Sequence, residues 1–486
     1  MAVALTAAAC ASGSDTDSRG GQEARVAAVE EGLLLAVQVE GEAPRTYTIE
    51  ERMERYHVPG VSIAVVDGGR VVWAKGYGLA DTETGVPVTP ATLFQAASIS
   101  KPVGALAVLG LVEEGVLQLD APVNAALTSW KVPDNEFTAD SAVTLRGVLT
   151  HSAGLTVWGF PGYARGEELP GNVDVLEGRG NTDPVRVYKV PGTSWQYSGG
   201  GYTVMEQVVE DVTRRSFADV VGERVLRPVG MERSTYAQPL PEARWPEAAR
   251  AHGSDGTELP GEWHTYPEQA AAGLWTTPQE LARLSVHLLG ILDGTVTDGV
   301  VSRAMLEQML TPHGGGAERY QDVGLGFGLS NNGDARIFSH GGSNAGFKAS
   351  WITYRDGGQG IAVMTNGDQG SALAAEITRA VSAVYGWPGF RPQVRPRVSP
   401  PADVLAALAG AYHVEGQPSV VVELASQGNT LVVRVDGAPR GTLYAESDDV
   451  WYDVEDGTEI RFERDESGRV VAAQQSAGLR LLPGAT

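Results

Sequence analysis

The sequence predicts an α+β fold: an antiparallel sheet flanked by helices, with a helical subdomain, followed by a small all-β domain of barrel-like spacing. Three observations predict it. Two strand pairs joined by Asp-Gly-Gly turns stand near opposite ends of residues 48–385, helical patterns fill the stretch between them, and beyond a proline-rich segment the chain turns to short alternating strands. With 486 residues the chain is too long for one ordinary core, and 42% apolar with 20% charged residues is the balance of a globular protein.

Taken in order, residues 1–9 are small and apolar and run into Ala7-Ala8-Ala9-Cys10, after which residues 11–21 are rich in Ser, Asp and Gly and read as a flexible tether. This start resembles the end of a bacterial lipoprotein signal, in which the cysteine carries the lipid, although no basic segment precedes the apolar run. The resemblance implies an exported chain, periplasmic or membrane-anchored, with a lipid anchor at Cys10. No stretch approaches the roughly 20 apolar residues of a membrane-spanning helix.

Thr48-Ile49-Glu50-Glu51 is a capping box, and its helix should end before Pro59. Val61-Ser62-Ile63-Ala64-Val65-Val66, the turn Asp67-Gly68-Gly69 and Arg70-Val71-Val72-Trp73-Ala74 form the first hairpin. From Val103 through Leu106, Leu109, Leu111, Val112 and Val116 the apolar positions cover more than one face, which marks a helix buried on most sides. Met205, Val208, Val209 and Val212 keep helical spacing, and Thr277-Pro278-Gln279-Glu280 opens another helix with proline at its first position. The second hairpin turns at Asp356-Gly357-Gly358, and a last helix runs over residues 372–385.

Pro388, Pro392, Pro396, Pro400 and Pro401 predict a stiff linker over 388–403. Beyond it, strands are expected at 420–424, 431–435, 451–454, 460–463 and 470–473. The expected organisation is therefore a leader and tether (1–21), a main domain (22–387), the linker, and the all-β domain (404–486).

The formal charge of −23 argues against nucleic acid, whose phosphates would be repelled, and leaves small molecules as the expected partners. Cys10 is the sole cysteine, which excludes an intramolecular disulfide, a four-cysteine zinc site and a cysteine-histidine catalytic pair. No Gly-x-Ser-x-Gly elbow, His-Glu-x-x-His motif or phosphate-cradling glycine loop is present, and no cofactor or metal is expected.

The chemistry concentrates in Ser98-Ile99-Ser100-Lys101. Residues three apart on a helix share a face, so the Lys101 amine can reach the Ser98 hydroxyl, and a lysine held out of water can accept a proton at working pH. Only 5 of the 37 basic residues are lysine, so a lysine at the mouth of a buried helix carries weight.

Four further segments follow: Leu149-Thr150-His151-Ser152-Ala153-Gly154-Leu155, Tyr197-Ser198-Gly199-Gly200-Gly201-Tyr202, Gly273-Leu274-Trp275-Thr276-Thr277-Pro278, and His340-Gly341-Gly342. With Ser98 and Lys101, and in this order, they resemble the serine β-lactamase and penicillin-binding peptidase superfamily, in its class C-like branch with the family VIII carboxylesterases and D-amino peptidases. The resemblance implies a β-lactamase/transpeptidase-like fold over about 48–385. It also implies that Ser98 is acylated, that Lys101 and Tyr197 share proton transfer, and that the backbone N–H groups of Ser98 and Ser343 bind the oxyanion.

The sequence departs from that pattern twice. Gly199 stands where the family carries asparagine, and His340 stands where it carries lysine, ahead of Gly341 and Gly342. Both changes weaken a grip on the amide and carboxylate of a penicillin and favour an esterase, or a peptidase of small amides. The alternatives are a β-lactamase or D-amino-acid peptidase, and, in another class, an envelope-tethered binding protein that acylates slowly or not at all. His151 reads as a structural residue, while Trp158, Phe160 and Trp275 fit pocket walls and core packing equally.

Overall fold

The computed structural model describes residues 13–315 and 321–484; Cys10, the candidate lipid site, lies outside them. Contacts divide the chain into two compact units, residues 50–374 and a second unit made of the residues before and after them.

The larger unit is built on one antiparallel sheet of eight strands, in the order Asp322–Val323, Gly328–Asn332, Ala335–Asn344, Phe347–Tyr354, Gly360–Thr365, Gly60–Asp67, Arg70–Asp81, Val86–Pro87. Strands from both ends of the unit meet where Gly360–Thr365 pairs with Gly60–Asp67, Ala362 opposite Ala64. Between them in sequence lies the helical part, as the element order predicts. The first hairpin closes at Gly68 and Gly69, whose φ of 58° and 72° are those of a type I′ turn, the two-residue loop that matches strand twist.

Helix Pro278–Asp293 starts at the predicted cap, with Thr277 Oγ1 accepting from Glu280 N at 3.1 Å. It is tied to the sheet through Ser285 Oγ, which accepts from Trp351 Nε1 at 2.7 Å and lies 2.8 Å from Thr353 Oγ1. Helix Ser100–Glu113 is buried at every position from Ser100 to Leu109, which accounts for its lack of a polar face.

The smaller unit contains a closed barrel of eight antiparallel strands between Gly410 and Pro483, around Leu424, Leu431, Leu443, Trp451, Ile460, Phe462 and Leu481. Three of its strands, Gly410–Val414, Ala438–Ala445 and Arg480–Pro483, lie outside the five expected segments.

Two local expectations change. Residues 388–403 are not only linker, since Gln393–Arg395 pairs in parallel with Val37–Val39. The same N-terminal strand bonds to the barrel, Ala36 N to Glu455 O and Val37 N to Val454 O at 3.1 Å each, so residues before 50 group with the barrel rather than with the sheet. The backbone of Gly13–Glu30 is helical across most of the expected tether, although Gly20, Gly21 and the Ser and Asp residues before them are poor helix formers. Among the described residues no helix is long and apolar enough to cross a membrane.

Candidate active site

Ser98 sits in a 3₁₀ turn, Ala97–Ile99, that leads into helix Ser100–Glu113. Ala97 is held at φ 49°, a left-handed conformation that costs a non-glycine residue on the order of 1 kcal/mol or more and persists only where the surroundings enforce it. Ser100 supplies that enforcement. Its Oγ donates to Ala97 O at 2.5 Å and accepts from Leu274 N at 2.9 Å, and its carbonyl accepts from Tyr236 Oη at 2.6 Å. Pro102 falls in the first helical turn, where no intrahelical N–H is needed.

Lys101 is 2% exposed. Its Nζ donates to Ser98 Oγ at 3.0 Å and to the carbonyl of Ala271 at 2.7 Å. A carbonyl only accepts, so one N–H is committed to Ala271 and aims the rest of the amine at Ser98. The rings of Tyr197 and Tyr202 lie 5.1 and 5.6 Å from Nζ, close enough for their faces to stabilise an ammonium withdrawn from water.

Tyr197 is buried just ahead of helix Gly199–Thr213. Ser198 caps that helix, its Oγ accepting from Gly201 N at 2.9 Å and donating to Thr156 O at 2.8 Å. The next donors are used as well: Gly199 N bonds Trp158 O at 3.1 Å and Gly200 N bonds Val157 O at 3.0 Å. His151 packs on Tyr197, centroids 4.2 Å apart at 30°, and its Nδ1 accepts from Ser198 N at 3.1 Å. The imidazole thus fixes the backbone beside Tyr197, in keeping with the structural part expected of it.

The third wall is strand Ala335–Asn344. Its ladder with Gly328–Asn332 ends at Ser339, so the edge from His340 onward is left to face the serine turn. Gly342 makes that approach possible, since a Cβ there would lie 2.1 Å from Ala96 O. His340 is buried, its Nδ1 2.6 Å from Gly341 O, which requires the proton on Nδ1. Its ring lies 6.4 Å from that of Tyr197. Ser343 is exposed on the same edge, opposite Lys348.

The structure therefore brings Ser98, Lys101, Tyr197, His340, Gly341 and Gly342 to one place. Gly199 joins them in an unexpected way: a Cβ there would lie 2.8 Å from Phe160 Cε2, so a phenyl ring fills the space beside the missing side chain. Trp158 is 61% exposed and 5.6 Å from the Tyr197 ring. Trp275 is not a wall. It is fully buried, edge-to-face with Trp263 and Phe347, and belongs to the core.

Two carboxyls behind the site were not legible as such. Glu206 accepts from Ala270 N at 2.8 Å, at the start of the Gln269–Ala272 turn of helix whose Ala271 carbonyl holds Lys101, and burial pushes it well above the usual carboxylate range. Glu268, fully buried with neither side-chain oxygen hydrogen-bonded, is raised by burial to about 7. A charged residue followed by Gln269-Ala270-Ala271-Ala272 was the only sequence signal. Among the described residues no group of three or more His, Cys, Asp or Glu could hold a metal.

A buried amine against a serine hydroxyl, a buried tyrosine ring 5.1 Å from the amine, and a strand edge opposite the turn are the parts from which acyl transfer can be built. Known proteins resemble the chain in sequence and in fold. The chain is similar to penicillin-binding protein 4* of Bacillus subtilis, 23% identical over 428 residues, 82% of this chain and 89% of that protein. It is also similar to esterase EstB of Burkholderia gladioli, 34% identical over 223 residues, 43% of this chain and 55% of that one. In fold it resembles the octameric penicillin-binding protein homologue from Pyrococcus abyssi, with TM-score 0.61 and 23% identity over 89% of this chain and 98% of the other. The D-amino acid amidase from Ochrobactrum anthropi gives TM-score 0.56 and 21% identity over 70% and 95%. Residues 47–385 match the family model described as Beta-lactamase, and the chain belongs to that family.

Proposed function

We propose that this chain is a serine hydrolase that forms an acyl-enzyme on Ser98 and acts on carboxylic esters or small amides. The observation that carries the proposal is the 3.0 Å contact between Lys101 Nζ and Ser98 Oγ, made by a lysine shut away from water under the Tyr197 ring. Lys101 and Tyr197 take the proton of the Ser98 hydroxyl as its oxygen attacks the carbonyl, and return it to the leaving alcohol or amine as the tetrahedral intermediate collapses. The N–H groups of Ser98 and Ser343 receive the oxyanion. Water then attacks the acyl group, and the same pair moves its proton.

Gly199 and His340 favour the ester reading over the β-lactam one. At 199 no amide reaches into the site, and at 340 the cation of a lysine is replaced by an imidazole whose Nδ1–H is spent on Gly341 O. The names of the similar proteins support a second reading, an amidase or peptidase of D-amino-acid substrates or a penicillin-binding protein.

Hydrolysis of short-chain p-nitrophenyl esters by the wild type and by Ser98→Ala tests the first reading, and equal rates would overturn it. Turnover of nitrocefin or of D-amino-acid anilides at rates above those of the esters would favour the second. Absence of any fluorophosphonate adduct on Ser98 would favour a binding protein. Attachment of the chain to an envelope through Cys10 is tested by incorporation of a labelled fatty acid, expected to disappear in Cys10→Ser.

A further inference from the structure

A solvent-exposed tryptophan beside the Tyr197 ring is the feature the proposed chemistry leaves unused. Trp158 is 61% exposed, the highest value among the described large apolar residues of residues 50–374. A single exposed apolar residue is ordinary, so this indole takes its meaning from the backbone that holds it and the rings beside it.

The backbone that presents it is fixed and strained. Val157 is held at φ 63°, a region that a β-branched residue enters only under constraint. The constraint is visible: Gly200 N bonds Val157 O at 3.0 Å and Gly199 N bonds Trp158 O at 3.1 Å, so the first donors of the helix that follows Tyr197 clamp both residues. Strain kept at a position that points a large aromatic outward is a mark of function rather than packing.

The indole is the exposed end of a packed cluster of rings. Its ring lies 5.6 Å from that of Tyr197 at 50°, inside the separation at which aromatic rings attract through face and edge. Beyond Tyr197 stand Trp195 and His340, each 6.4 Å away, and Phe160 fills the space beside Gly199. A polar acyl amide would find no side-chain amide at 199 here, whereas a flat ring would find faces and edges.

We propose that Trp158, set beside the Tyr197 ring, is the specificity-determining platform of this site and receives an aromatic ring carried next to the scissile carbonyl. The preferred substrates are then aryl-bearing esters or amides rather than short alkyl ones. This rests on the hydrolase reading for its chemistry, while the platform itself is a matter of binding and can be read separately.

The test measures kcat/KM for a matched pair of esters, one with a phenylacetyl and one with an acetyl group on the same alcohol, in wild type, Trp158→Ala and Trp158→Phe. The aryl-over-alkyl ratio should fall about tenfold in Trp158→Ala, through KM, and recover largely in Trp158→Phe. A ratio unchanged within twofold would overturn the proposal. So would an equal recovery of the ratio by Trp158→Leu, which would show that bulk alone is recognised. Calorimetry of the phenylacetyl ester with Ser98→Ala, with and without Trp158→Ala, reads binding without turnover. Trp158-dependent binding there with no esterase activity in the wild type would uphold the platform and overturn the hydrolase reading. Binding that is indifferent to Trp158 would overturn the platform.

Discussion

Gly342 lies against the carbonyl of Ala96 so closely that a Cβ on residue 342 would stand 2.1 Å from that oxygen. The contact sets the gap between the strand edge and the serine turn, because Ala96 is rigid: its own N–H is bonded to Leu274 O at 2.8 Å and its carbonyl accepts from Ile99 N at 3.1 Å. One residue earlier the strand has room, since a Cβ on Gly341 would meet nothing nearer than Ala349 O at 3.8 Å.

Gly342→Ala should therefore push the edge away from Ser98 and lower kcat/KM for an ester by about 10²-fold or more, the usual cost of losing an oxyanion donor. Gly341→Ala should cost clearly less. Steady-state kinetics of both variants, with circular dichroism to confirm folding, checks the contrast; equal losses would show that spacing is not what Gly342 provides.

Lys101→Met and Tyr197→Phe should each lower kcat by about 10² to 10⁴-fold, the range expected for a positioned proton-transfer group. The two losses should not add in the double variant, because the groups act on one proton. Additive losses would mean that they serve separate steps. Lys101→Met keeps a long apolar stem in the cavity, so the comparison is not confounded by a void.

Gly199→Asn restores the amide that the family carries, yet its Cβ would meet Phe160 Cε2 at 2.8 Å. The single variant should lose ester hydrolysis. Combined with Phe160→Ala, which opens the space, it should accept a penicillin probe on Ser98 faster than the wild type does, read by mass spectrometry over a time course. No gain in the double variant would show that position 199 does not set the choice of substrate.

Glu268 makes stability depend on pH. Burial raises its carboxyl from an ordinary 4.5 to about 7, so between those values the unfolded chain has released the proton and the folded chain still holds it. The folded state binds more protons in that window, and stability falls as pH rises through it, then levels off above 7. The full span corresponds to something on the order of 3 kcal/mol. Glu268→Gln should remove this component. Denaturant midpoints at pH 5 and pH 8 should show the variant losing less stability than the wild type over that interval, and parallel losses would rule the mechanism out.

The sequence by itself determined the periodic elements and the order of the motifs. Asp67-Gly68-Gly69 specified a turn because only residues free to take positive φ close a two-residue hairpin, and Thr277-Pro278 specified a helix start because cap and proline satisfy or dispense with its first donors. Ser98 and Lys101 were legible as a pair because three residues make one turn, so their contact is local. What only the tertiary structure decided is everything that joins distant segments. The Ala271 carbonyl on Lys101, the phenyl ring beside Gly199, the burial of Trp275 in the core and the isolation of Glu268 each depend on a neighbour remote in sequence. The barrel strands at 410–414, 438–445 and 480–483 escaped for the same reason. Their pattern is weak until flanking strands supply the other half of each ladder, and a strand's stability resides in that pairing rather than in its own residues.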